Sequence, residues 1–182
     1  MNDDSLLVQQ FKNAESKEQA FTQIVKKYQE KLYWHIRRMV VSHDDADDVV
    51  QNAFIKAWRG LANFREDSQL YTWLYRIATN ESLTFLEQKK KKSTLSLSDT
   101  DSYDALSNQI KASDNFDGQK LEWKLQLAIQ QLPEKQRAVF NLRYYDEMPY
   151  DEMSQVLETS AGALKASYHH AAKKIEDYIL NH

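Results

Sequence analysis

The 182-residue chain contains no cysteine, three glycines and two prolines. Without cysteine there can be no disulfide, thiol nucleophile or cysteine-ligated zinc, and a reducing compartment is permitted. So few glycines and prolines exclude most turn-rich β architectures, whose tight turns depend on those residues. Glycine stands only at positions 60, 118 and 162, which excludes a glycine-rich phosphate loop. No apolar run approaches the ~20 residues of a membrane span, so no membrane insertion is expected. The opening MNDDSLLVQQ lacks a signal-peptide profile. An all-α fold and a cytoplasmic location are expected.

What is present suits a globular chain: 42% hydrophobic and 28% charged residues, with four Trp, ten Tyr and seven Phe to fill small cores. The net charge of −3 is unevenly spread, at +2 over residues 1–92, −4 over 93–118 and −1 over 119–182. Neither flank is the basic block of a non-specific DNA coater, which leaves a weak or assisted DNA binder open. Residues 93–118 are rich in Ser, Asp and Asn and read as a flexible linker between two small helical domains, 1–92 and 119–182. Fully extended, that linker would reach up to ~90 Å, so it is either slack or threaded along a larger partner.

In the first domain Phe21, Ile24, Val25, Tyr28, Leu32, Ile36, Met39 and Val40 keep the three-and-four spacing of a buried helical stripe. Ser42 is the expected N-cap of the next helix, and Asp44, Asp45, Asp47 and Asp48 complement its positive end. That helix buries Ala46, Val49, Ala53, Ala57 and Trp58 and turns Asp48, Gln51, Asn52, Ile55 and Lys56 outward. A third helix, from Ser68 to about Lys92, buries Leu70, Trp73, Leu74, Ile77 and Ala78; Thr72, Tyr75, Arg76, Thr79 and Asn80 lie opposite and are expected to be exposed.

In the second domain Leu121, Leu125, Ile129 and Leu132 mark the inward face of a helix stopped by Pro133. Pro133 and Pro149 each open a further helix. After the turn Glu158-Thr159-Ser160, a last helix capped by Ser160 buries Leu164, Tyr168, Ala171, Ile175 and Ile179. A short helix, a three-residue turn and a longer helix make a helix-turn-helix.

Two surfaces can meet nucleic acid. Ser160, Ala161, Gly162, Ala163, Lys165, Ala166, His169 and His170 line the outer side of the last helix, whose small first residues let backbone approach a groove. Ser160 and the neighbouring unpaired amides can hold a phosphate. The plainer reading is a surface helix with solvated lysines, and it is preferred for Lys173 and Lys174. On the first domain, Tyr75, Arg76, Thr79 and Asn80 can stack on an unpaired base, grip phosphate and read a base edge. Phe64, Arg65, Ser68 and Tyr71 stand just before them. Arg76 equally suits an ordinary surface ion pair, and Lys89–Lys92 suits either a solvated helix end or a phosphate contact.

Catalytic readings are weak. Cap chemistry explains the Asp cluster after His43 better than a metal site does. The adjacent His169 and His170 point about 100° apart on a helix and make a poor chelate. No catalytic residue, metal or cofactor is expected, and no enzyme.

With these residues assembled, the chain resembles the extracytoplasmic-function class of bacterial RNA polymerase sigma factors, over roughly residues 5–92 and 119–180. DDADDVVQNAFIKAWRGLANFREDSQLYTWLYRIATN (44–80) is similar to the family's central block. LPEKQRAVFNLRYYDEMPYDEMSQVL (132–157) followed by SAGALKASYHH (160–170) resembles its promoter-binding domain. The resemblance implies core RNA polymerase, promoter DNA and an anti-sigma factor as partners. It implies that Asp48, Gln51, Asn52, Ile55 and Lys56 dock on the polymerase's largest subunit. It further implies that Phe64, Arg65, Ser68 and Tyr71 line a pocket for an extruded base of the −10 element, with Arg76 and Asn80 beside it. Base extrusion costs a few kcal/mol, which a complementary pocket can offset without ATP hydrolysis. The linker would run through the polymerase's channels, its Asp residues mimicking nucleic-acid charge.

The chain departs from the family at Ser167 and His170, where Arg is frequent, and at Ala163, where a hydroxyl residue is frequent. Fewer cations imply weak free-standing promoter affinity and a shallow salt dependence. Two other classes stay open on residues alone: a helix-turn-helix regulator whose first domain senses or dimerises, and a polymerase adaptor that never touches DNA.

Overall fold

A computed structural model describes residues 3–95 and 120–182. Helices α1 (Asp3–Lys12), α2 (Lys17–Val40), α3 (His43–Gly60) and α4 (Leu70–Leu95) build the first domain. The second contains α5 (Lys120–Gln130), α6 (Glu134–Tyr144), α7 (Tyr150–Leu157) and α8 (Ala161–Asn181). Among the described residues regular structure is helical throughout, as expected.

The expected stop signals and caps hold. Ser42 accepts a hydrogen bond from the Asp45 amide at 3.4 Å, and Ser160 accepts one from the Ala163 amide at 3.2 Å. Pro133 and Pro149 occupy the N-cap positions of α6 and α7 in extended backbone, so α7 starts at Tyr150. Glu158, at φ 51°, makes the left-handed turn between α7 and α8.

Three features differ from expectation. Helix α1 has no counterpart in the sequence reading, although Leu7, Val8 and Phe11 are buried at helical spacing. Helix α4 runs on to Leu95, past the expected linker start at 93; the hydroxyls of Ser93 and Thr94 fold back on the Lys90 carbonyl. The rest of the predicted linker lies outside the described residues. Leu121, expected inside, is 65% exposed, because α5 turns Leu127, Ala128 and Ile129 inward instead.

One hydrophobic cluster runs through both domains. Residues of α2 and α4, including Leu32, Ile36, Met39, Leu74, Tyr75 and Ala78, are continuous with Ala138, Val139 and Leu142 of α6 and Met153 and Val156 of α7. A smaller cluster, Ala128, Ile129, Leu132, Phe140, Ala171 and Ile175, belongs to the second domain alone. The second domain therefore rests on α2 and α4, and burial of that apolar surface is the main force joining the two.

Candidate nucleic-acid interface

The loop between α3 and α4 carries Phe64-Arg65-Glu66-Asp67-Ser68. A side chain at Gly60 would put its Cβ 3.1 Å from the Trp73 ring, so the glycine lets α3 and α4 approach closely. Phe64 is buried against Trp73, with ring centroids 5.1 Å apart. Packing holds most of the ring inside, and the residue also lines a cleft. Helix α1 pins the loop twice. Lys12 Nζ donates to the Phe64 carbonyl at 3.1 Å, and Ser5 Oγ donates to Glu66 Oε2 at 2.8 Å. Glu66 takes the left-handed φ of 59°. The sequence pointed to the loop, but not to the helix that shapes it. Arg65 stands out in solvent, and Ser68 and Tyr71 are half-buried.

On α4 the expected exposed face is largely covered. Thr72 and Tyr75 are each 1% exposed and Thr79 is 0% exposed, because α6 and α7 lie across them. Arg76 remains outside and pairs with Glu158 of the second domain; Asn80 is exposed. Positions 72, 75 and 79 keep three-and-four spacing, so α4 has two buried stripes, one for each domain. Their Thr and Tyr side chains read as a polar face because they can hydrogen-bond.

At the centre of this seam the charge of Asp146, at the end of α6, is shared by several partners. His35 Nδ1 lies 3.2 Å from Asp146 Oδ2, Tyr75 donates its hydroxyl to Oδ1 at 3.3 Å, and Arg38 Nη1 is 3.6 Å from Oδ1. A carboxylate only accepts, so Nδ1 carries a proton. His35 Nε2 meets Thr79 Oγ1 at 2.8 Å. Burial, with the Asp146 charge close by, pushes the Tyr75 hydroxyl pKa far upward and that of Tyr71 up to about 12. Sequence reasoning missed His35, Asp146 and Arg137. His35 alone carried a signal, three residues after Leu32 and four before Met39 on the buried stripe.

Between the loop and α7 lies a cleft of about 410 Å³. Asp4, Glu66, Asp67 and Glu152 line it, and no Lys or Arg does. Such a wall repels phosphate. Thr72 also lines it, and its buried Oγ1 has no hydrogen-bond partner.

The remaining expected surfaces are open. Asp48, Gln51, Asn52, Ile55 and Lys56 are all exposed on α3; Ile55 is 48% exposed and Lys56 pairs with Glu81. On α8, Ser160, Gly162, Ala163, Lys165, Ala166, His169 and His170 face solvent, Ala161 is half-buried, and nothing lies within 4 Å of a Cβ placed at Gly162. Among the described residues no cluster of His or acidic side chains is arranged to hold a metal, and no helix is long and apolar enough to cross a membrane.

Two helical domains, the second ending in a helix-turn-helix with an open recognition face, have the architecture of a DNA-binding protein. Residues 24–92 match Sigma-70 region 2, and residues 122–175 match Sigma-70, region 4. The chain is 34% identical to the RNA polymerase sigma-H factor of Pseudomonas aeruginosa over 86% of its length and 84% of that protein. It is 33% identical to the ECF RNA polymerase sigma-E factor of Escherichia coli K12, covering 97% of this chain and 94% of that one. Among solved structures, CnrH in complex with the cytosolic domain of CnrY superposes with a TM-score of 0.69, at 22% identity, over 97% of this chain and 96% of that one. RpoE of Bartonella quintana, crystallised with the anti-sigma factor NepR, gives a TM-score of 0.64 at 20% identity over 87% and 96%. The chain belongs to the extracytoplasmic-function sigma factors of the sigma-70 family. It is a transcription initiation factor that directs RNA polymerase to promoters, and the readings as an independent helix-turn-helix regulator or a DNA-blind adaptor fall away.

Proposed function

We propose a division of labour along the chain. Residues 1–92 hold the polymerase and the melted −10 strand, residues 93–118 connect, and residues 119–182 read the −35 element. Asp48, Gln51, Asn52, Ile55 and Lys56 form the polymerase-docking face. What supports this is Ile55: a large apolar side chain 48% exposed on a helix otherwise polar on that side has the composition of an interface centre.

Phe64, Arg65, Ser68, Tyr71, Tyr75, Arg76, Thr79 and Asn80 make the single-strand surface in this reading. Arg65 and Asn80 are the members already facing solvent, and Arg76 is held by an ion pair. On α8 the small residues Ala161, Gly162, Ala163 and Ala166 admit the DNA backbone. Ser160 and the first amides take a phosphate, and Lys165, His169 and His170 face the groove. The protein acts by binding, with no catalytic residue, metal or cofactor of its own, and works in the cytoplasm.

An anti-sigma factor completes the partner set. The two similar structures described above are complexes, one with CnrY and one with the anti-sigma factor NepR, which supports such a partner for this chain. The test of the whole reading is reconstitution: core polymerase plus this protein on genomic fragments, scored for discrete transcript starts. Protection of a palindromic duplex by the protein alone, without any start, overturns it.

A further inference from the structure

We infer that helix α1 sets which −10 base the loop between α3 and α4 accepts, with Ser5 and Lys12 as positioning residues that act through the loop. The base-choice half of this statement rests on the assignment of the loop to the −10 strand made above; the holding of the loop by α1 does not.

The loop has little of its own to fix its shape. Among the described residues no backbone–backbone hydrogen bond involves Arg65, Glu66, Asp67 or Ser68. The pair Arg65–Asp67, 3.8 Å apart and exposed on both sides, adds little. Glu66 nevertheless takes the left-handed region, which a residue with a Cβ keeps only where its surroundings enforce it. Helix α1 supplies the enforcement. Ser5 Oγ donates to Glu66 Oε2 and Lys12 Nζ to the Phe64 carbonyl, while Trp73 covers the Phe64 ring. Residues 64 and 66 are thus held on either side of Arg65, whose side chain is 86% exposed. A backbone rotation at either neighbour would re-aim that guanidinium.

Ser5 and Lys12 stand two helical turns apart on one side of α1, the side toward the loop. The helix is seated by other side chains. Leu7, Val8 and Phe11 are buried, and Asp4 accepts from Lys27 Nζ and from the Tyr28 hydroxyl, each at 2.6 Å. Seating and grip are therefore separable by mutation. Ser5 and Val8 also line the same cleft as Glu66, Asp67 and Ser68, so α1 forms a wall beside the loop. A site that prefers one base over another must be held to roughly 0.5 Å. A lysine that served only as a phosphate contact would strengthen every sequence alike.

The absence of cysteine makes the holding measurable in the free chain. A spin label on Asp67→Cys, where the native side chain is 85% exposed, reports the motion of the loop. Ser5→Ala and Lys12→Met are each expected to speed that motion, and Ser5→Thr and Lys12→Arg to keep the parent lineshape. The unlabelled variants are then assembled with core polymerase and scored on promoters with randomised −10 bases. Ser5→Ala combined with Lys12→Met is expected to lower the ratio of transcript starts between preferred and competing bases about tenfold, the size of one base-edge contact. Assembly with polymerase is expected to stay unchanged. Each single variant is expected to act in the same direction more weakly, and keeps the test decisive if the pair does not fold.

A label equally mobile in the parent and every variant overturns the holding, whatever the loop binds. A loss of starts that is uniform across the promoter pool overturns the positioning and makes Lys12 a phosphate contact. If the label loosens while base preference stays that of the parent, Arg65→Ala separates the two causes. Altered preference in Arg65→Ala shows that the loop reads the strand and that α1 does not set its choice. Unaltered preference shows that the assignment of the loop has failed, and the base-choice half falls with it.

Discussion

Arg137 of the second domain closes on Met39 of the first. Its Nη1 donates to the Met39 carbonyl at 3.0 Å, while Nη2 donates to the carbonyls of Gln130 at 3.0 Å and Leu132 at 3.3 Å. Met39 lies in the last turn of α2, where unpaired carbonyls and the helix dipole favour a cation. Burial lowers the guanidinium pKa to about 10, partly opposed by Glu134. One side chain thus satisfies carbonyls in both domains.

Arg137→Ala should therefore strip three buried carbonyls of their donor and lower unfolding stability by about 2–4 kcal/mol. Arg137→Lys should recover little, since an ammonium cannot reproduce the planar fork. Urea denaturation followed by helix signal measures both. A loss under half a kcal/mol for Ala would mean that the carbonyls find other donors.

Alkali should loosen the seam. Tyr71 and Tyr75 have folded-state pKa values raised above the ~10 of an unfolded tyrosine, so their contribution is complete below that pH and is lost as pH climbs through the folded values. Arg137 works in the opposite sense, because its folded value is depressed and the unfolded chain binds more protons there. Tyr28, raised by burial and by its bond to Asp4, adds to the tyrosine side. Between pH 10 and 12 the net result should be falling stability, read by phenolate absorbance rising late and together with loss of helix signal. Early, independent ionisation of all the tyrosines would contradict the burial.

Polymerase docking and strand opening should separate by mutation. Ile55→Glu places a charge at the centre of the α3 face and should weaken assembly with core polymerase by about 10- to 100-fold, with unchanged folding. Asn80→Ala should leave assembly intact and reduce open-complex formation about tenfold, the cost of one base-edge contact. Gel-shift assembly and permanganate footprinting report the two steps. Equal loss of both in Asn80→Ala would make that residue structural.

The recognition helix should show a shallow salt dependence. Lys165 is the one Lys or Arg among the α8 residues assigned to the groove. Lys165→Ala should reduce the slope of log affinity against log salt for holoenzyme at the promoter by about 0.9, one phosphate's worth. An unchanged slope would move Lys165 off the DNA; its ammonium also lies 5.7 Å from the Tyr150 ring centre.

Helix α3 and helix α8 were readable because their caps and apolar stripes agree, with dipole-complementing charges as well on α3, and their outer faces meet no other element. Helix α4 was readable as a helix and misread as a surface. A helical wheel separates polar from apolar residues but does not say what packs on each side. Thr72, Tyr75 and Thr79 are amphipathic enough for either. An aromatic in a loop likewise carries no hint of what covers it, and Trp73 covers Phe64.

Local chemistry in the chain itself settled the helices, the Ser42 and Ser160 caps and the helix-turn-helix, because spacing and capping act over a few residues. The tertiary structure alone decided that the halves share a core and that Asp146 gathers His35 and Tyr75. Tyr75 and Asp146 are 71 positions apart. No periodicity spans that distance, and only burial of the apolar faces of α2, α4, α6 and α7 against one another brings those polar groups within bonding reach.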